Sequence, residues 1–82
     1  MSKYIRHDIV EAVQFTGEIT EELNELADGY LFWIGNDLHL EVNNGSLWII
    51  VGDWVVKSDD ILTVVDNADF RKNYTKILKE KE

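Results

Sequence analysis

The segment Leu47-Trp48-Ile49-Ile50-Val51-Gly52-Asp53-Trp54-Val55-Val56 constrains the fold more than any other part of the chain. Two runs, apolar at successive positions, are interrupted only by the turn signal Gly52-Asp53. Side chains alternate between the faces of a strand, so each run needs cover on both faces, from helix, from sheet curvature or from another subunit. With 82 residues the chain has room for one domain, spanning 1–82, and a nucleotide-binding Rossmann unit with a second domain does not fit. Covering two apolar faces with so little chain makes self-association or a protein partner as plausible as a fully self-contained monomer. Trp33, Trp48 and Trp54 are the candidates for such a protein-binding face, although a tryptophan in so small a domain is more often core.

Around this segment the pattern alternates. Tyr4 to Phe15 reads as one extended stretch: Ile9 and Val10 flank Glu11, Val13 and Phe15 alternate with Ala12 and Gln14, and Thr16-Gly17 ends the run. Ile19, Leu23 and Leu26 then share one face of a short helix over 19–27, with Glu21, Glu22 and Glu25 on the other face and Gly29 as its C′ residue. Five short strands follow, at 30–34, 37–43, 46–51, 54–58 and 61–66. Their turns are Gly35-Asn36, Asn44-Gly45, Gly52-Asp53 and Asp59-Asp60. Asn-Gly is a strong hairpin signal because a type I′ turn needs φ > 0 at both central residues. A last helix is predicted from Phe70, Tyr74 and Ile77 or Leu78, with Asp66 or Asn67 as its cap. The fold class is α+β. About six mainly antiparallel strands form a curved sheet or small open barrel, with one short helix after the first strand and a C-terminal helix.

Charge divides the chain. The net charge is −8, and between His7 and Val56 there are ten acids and no Lys or Arg. The bases are Lys3, Arg6, Lys57 and the tail residues Arg71, Lys72, Lys76, Lys79 and Lys81. Such a body repels phosphate backbones, which opposes direct binding of nucleic acid and favours a basic partner. Glu21, Glu22 and Glu25 are the acidic candidates for that contact. A phosphorylated small molecule would need donors, for which Arg6 and Lys57 are the candidates outside the tail.

Catalytic constellations are not legible. The chain has no Cys, hence no disulfide framework, thiolate metal site or thiol nucleophile. His7 and His39 lack metal-site spacing, and His39, facing away from Leu38 and Leu40, reads as a solvated side chain. Asp59-Asp60 and Asp66 lack the EF-hand pattern and read as turn residues; Gly52-Asp53 lacks the glycine spacing, the Lys and the following helix of a phosphate loop. No Ser or Thr sits in a nucleophile elbow. A non-enzymatic protein without a cofactor or metal is expected. No apolar run is long enough to span a membrane, and residues 1–8 lack a signal-peptide core, so a cytoplasmic setting is expected.

Four pieces in order, Tyr4-Ile5-Arg6, Val10-Glu11-Ala12-Val13-Gln14-Phe15-Thr16-Gly17-Glu18, Gly52-Asp53-Trp54-Val55-Val56-Lys57 and Asp69-Phe70-Arg71-Lys72-Asn73-Tyr74, resemble a family of small bacteriophage and prophage proteins. The resemblance spans nearly the whole chain. Ser58-Asp59 stands where the family commonly has Gly after the Lys, and Val65-Asp66-Asn67 replaces its Lys-Pro-Asp. The resemblance implies origin in a phage or integrated prophage and expression in a bacterial cytoplasm, and it implies no particular activity. The expected function is therefore protein–protein interaction, with a second copy as a homodimer or with a host factor. Two alternatives are an anti-defence inhibitor whose carboxylates imitate nucleic-acid charge, and a binder of a nucleotide signal.

Overall fold

The structure is a computed structural model that describes residues 2–5 and 9–76, with side chains over 10–74. In chain order the elements are β1 (Ser2–Ile5), β2 (Ile9–Gln14), α1 (Glu21–Leu26), β3 (Leu31–Ile34), β4 (Asp37–Val42), β5 (Gly45–Ile49), β6 (Trp54–Ser58), β7 (Ile61–Val65), α2 (Asn67–Asn73) and β8 (Thr75–Lys76). The α+β class and the antiparallel pairing match the expectation. The single curved sheet or barrel does not: the strands form a five-stranded sheet, ordered β7-β6-β2-β1-β8, and a separate three-stranded sheet, β3-β4-β5.

The division occurs at Gly52-Asp53, where the sequence predicted a reversal laying β6 against β5. Instead Asp53 builds a corner. Its N–H donates to Ile50 O at 3.0 Å, and its Oδ2 accepts from Ile50 N at 3.1 Å. Gly52 N then donates to Phe15 O, and Phe15 N to Asp53 O, each at 2.8 Å. These bonds continue the β2–β6 ladder beyond its Gln14↔Trp54 pair, so β6 leaves β5 and joins β2. Gly52 takes φ +100 here, a conformation L side chains rarely adopt.

A second correction concerns the first strand. Tyr4 to Phe15 is not one extended stretch: β1 and β2 pair antiparallel, from Ser2↔Ala12 to Ile5↔Ile9. The polar triplet Arg6-His7-Asp8 interrupts the alternation between them, and these three residues lie outside the described ones. In the β4–β5 hairpin Val42 faces Gly45, so the two-residue loop is Asn43-Asn44, one position earlier than predicted. The positive-φ pair occurs instead at Asp59 and Asp60, φ 52 and 65, between β6 and β7.

Alternation along the central strands creates two cores. Val13, Phe15 and Val55 face Leu38, Leu40 and Ile49 of the smaller sheet, and Leu23, Leu26 and Ala27 of the α1 segment close this space. On the opposite face, Val10, Ala12 and Val56 pack with Phe70 of α2. Thus β6 is covered on both faces within one chain, with Val55 at 0% and Val56 at 2% exposure. Leu23 and Leu26 are fully buried, worth roughly 1.5–3 kcal/mol each by transfer. The other run is covered on one face only, with Ile49 buried and Trp48 and Ile50 exposed.

Local chemistry sets the helix ends. Thr20 Oγ1 accepts from Leu23 N at 3.2 Å, Glu21 and Glu22 occupy the first turn of α1, and Asp28 and Gly29 leave it with φ 55 and 79. Asp66 Oδ1 caps α2 through Asp69 N at 2.8 Å. That helix is shorter than the spacing of Phe70, Tyr74 and Ile77 predicted. Tyr74 is extended, at φ −125 and ψ 144, and Thr75–Lys76 pair with β1 as Ile5↔Thr75 and Tyr4↔Lys76. Backbone pairing with the edge of β1 takes the chain before another helical turn forms. Ile77, Leu78, Lys79 and Lys81 lie outside the described residues.

Candidate functional site: the outer face of the three-stranded sheet

Leu38, Leu40 and Ile49 point into the core, and the register places their neighbours on the opposite face. Phe32 lies opposite His39, and His39 opposite Trp48, forming one cross-strand row. The Phe32 and His39 rings stack at 5.6 Å with 23° between planes, and His39 Nδ1 lies 3.4 Å from Ser46 Oγ. Tyr30, whose carbonyl accepts from Glu41 N at 2.8 Å, extends this face on one side. Ile34, opposite Asp37, extends it on the other, with Ile50 just past the end of β5. Tyr30, Ile34, Trp48 and Ile50 are each more than half exposed, and Phe32 is 36% exposed. Scattered exposed apolar residues are ordinary, whereas five on one face of a small sheet form a patch of the kind that binds other molecules. The polar members, from the central strand, are Asp37, His39 and Glu41.

Beside this face lies a groove of about 540 Å³ lined by Tyr30, Glu41, Val42, Asn43, Asp60, Ile61 and Leu62. Tyr30 and Glu41 belong to both, so face and groove are continuous. Its lining mixes apolar side chains with the carboxylates of Glu41 and Asp60.

The predicted protein-binding residues separate. Trp48 sits at the centre of the outer face. Trp33, also exposed, lies one position off it: it is opposite Leu38, with its ring 6.4 Å from that of Phe15. Trp54 has a structural place: it stacks on Phe70 at 3.9 Å, Phe70 stacks on Tyr74 at 4.5 Å, and Trp54 Nε1 donates to Asn67 Oδ1 at 3.0 Å. A shallow cavity of about 360 Å³ adjoins this stack, lined by Gln14, Asn67 and Arg71 with the three rings. Glu21, Glu22 and Glu25 are exposed on α1, which closes the core rather than the outer face.

Of the predicted ligand-binding pair, Arg6 lies outside the described residues. Lys57 Nζ donates to Asp28 Oδ2 at 3.0 Å. That hydrogen bond chiefly holds the ammonium pKa above its ordinary value of 10.5; desolvation opposes it, and the charges of Asp28, Asp60 and Glu11 add to it. The pair ties β6 to the end of α1. Among the described residues no group of three or more His, Cys, Asp or Glu side chains is placed to hold a metal ion, and no helix is long and apolar enough to cross a membrane.

Sequence reasoning missed Tyr30, Phe32, Ile34 and Ile50 as surface residues. Their apolar character reads as core until the packed face of the small sheet is known. The signal available was parity: if Leu38 and Leu40 are buried, residues opposite His39 point outward. The chain matches no protein-family model, no curated protein and no solved structure.

Proposed function

We propose that this chain is a small non-enzymatic protein-interaction module that works through the outer face of its three-stranded sheet. One observation carries the reading: five large apolar side chains, Tyr30, Phe32, Ile34, Trp48 and Ile50, are exposed on a face that neither helix covers. Fixed backbone pairing holds the Phe32–His39–Trp48 row in place, which reduces the ordering cost of binding. The four-piece resemblance supports a phage or prophage setting in a bacterial cytoplasm, where the bound protein is a host factor or a second copy.

A photo-crosslinking amino acid at Ser46, next to the row, tests this in cells. Protein adducts are expected from Ser46 and not from Lys72 on α2. A probe at Ser46 that yields no protein adduct, in a chain shown to be folded, would end the reading.

A further inference from the structure

The partner's chemistry can be read from the charges that surround the apolar face. Asp37 and Glu41 flank His39 along β4, and Asp60 stands with Glu41 in the adjoining groove. No Lys or Arg occurs between His7 and Val56, so β3, β4 and β5 contribute no cation. The Lys57 ammonium, the first base after that stretch, is hydrogen-bonded to Asp28. Among the described residues neither Asp37 nor Glu41 forms an ion pair. The face thus combines three exposed aromatic rings, Tyr30, Phe32 and Trp48, with the carboxylates of Asp37 and Glu41, which pair with no cation among the described residues.

A second copy fits this face poorly. Identical faces meet about a two-fold axis lying in the interface. With the axis along β4, Asp37 opposes Asp37 and Glu41 opposes Glu41; with the axis across β4, Asp37 opposes Glu41. Either of these aligned arrangements sets carboxylate against carboxylate while removing water from both, and an orthogonal crossing still brings two acidic faces together without a Lys or Arg from β3, β4 or β5 between them.

We infer that the occupant is a basic, apolar-bearing segment of another protein, in which Arg or Lys side chains flank aliphatic or aromatic ones. The inference rests on the protein-interaction reading above. The apolar side chains of the segment cover Phe32, Trp48 and Ile34. Its cations meet Asp37 at one end of β4 and the Glu41–Asp60 groove at the other, and an Arg placed over Tyr30 or Trp48 also gains from the ring face.

The test uses the full chain, isotopically labelled, and three synthetic peptides of equal length: one with Leu and Trp between Arg residues, one with Glu in place of Arg, and one with Arg but no apolar residue. The basic apolar peptide should shift the amide resonances of Phe32, His39 and Trp48. Trp48→Ser, at an exposed position, should weaken its binding by about tenfold or more while leaving the Leu38 and Leu40 resonances in place. Asp37→Asn with Glu41→Gln should weaken it by roughly three- to tenfold, and added salt should act in the same direction. Equal binding of the Glu peptide at this face, equal binding of the peptide without apolar residues, or dimerisation through the face would overturn the basic partner and leave the interaction face standing. If no peptide moves these resonances and the chain stays monomeric, both readings fall.

Discussion

Trp54 donates its indole N–H to Asn67 Oδ1 at 3.0 Å, and the same oxygen lies 3.4 Å from Gln14 Nε2 as a second donor. Gln14 and Trp54 are opposite each other in the β2–β6 register, and Asn67 is the first residue of α2. One amide oxygen therefore fixes the helix over two strands. Asn67→Ala should lower unfolding free energy by about 1–3 kcal/mol, since it strips an acceptor from two part-buried donors. Asn67→Asp keeps the acceptor at a helix N-terminus and should cost less. Urea unfolding of both variants checks the order, and an alanine variant as stable as the parent would refute it.

Asp59 and Asp60 both hold positive φ without being glycine. Replacing them by Asn-Gly relieves that conformational cost in the turn between β6 and β7. The double variant should gain about 0.5–1 kcal/mol, read as a raised thermal midpoint. A lowered midpoint would mean that the aspartates contribute through charge more than they cost in backbone strain.

The corner at Asp53 is separable from its charge elsewhere. Asp53 is 8% exposed, and its carboxylate accepts the Ile50 N–H. Asp53→Ala should cost about 1–3 kcal/mol and should loosen hydrogen-exchange protection at Gly52 and Phe15 first. Protection lost uniformly over both sheets would show instead that the corner opens only with global unfolding.

Burial and exposure along β4 and β5 predict opposite outcomes for neighbouring residues. Leu40→Ala, inside the first core, should cost about 2–5 kcal/mol. Trp48→Ser, on the outer face, should fall within about 0.5 kcal/mol of the parent. Chemical denaturation of the two variants side by side measures the contrast directly. Comparable losses would mean that the outer face is packed in solution.

The Lys57–Asp28 pair gives a pH signature. The folded-state pKa of Lys57 is raised, so its stabilising contribution is complete below the ordinary value of 10.5 and is lost as pH rises through the higher folded value. The difference in thermal midpoint between the parent and Lys57→Met should stay constant from neutral to mildly alkaline pH and shrink at strongly alkaline pH. Salt should reduce it throughout, since Asp28 is exposed. A difference that grows with pH would contradict the assignment.

Which parts of this fold were legible follows from what alternation encodes. Period-two patterns and turn residues located β3 through β7 closely, and Asp66 was readable as a cap. Alternation tells which residues share a face, but not which strand lies alongside, and Gly52-Asp53 serves a hairpin and a corner equally well. The choice is made by Phe15, distant in sequence, through its bonds to Gly52 and Asp53. The last helix was overextended because Ile77 and Leu78 continue the spacing of Phe70 and Tyr74, while the competing ladder edge belongs to β1. For the candidate site, residue type points to Trp48, whereas Trp33, a candidate on the same ground, lies one position off the face. Tyr30, Phe32, Ile34 and Ile50 needed the knowledge of which side of the small sheet packs against the core.

Because the chain leaves the five-stranded sheet after β2 and rejoins it at β6, the strands β3, β4 and β5 are an insertion between two hydrogen-bonded neighbours. Only their inward side chains are committed to the common interior. The outward positions 30, 32, 34, 37, 39, 41, 46, 48 and 50 are free to diversify without disturbing the framework, as an antibody loop does on its scaffold. Related chains with the same corner at Gly52-Asp53 should keep the inward leucines and differ most at these outward positions.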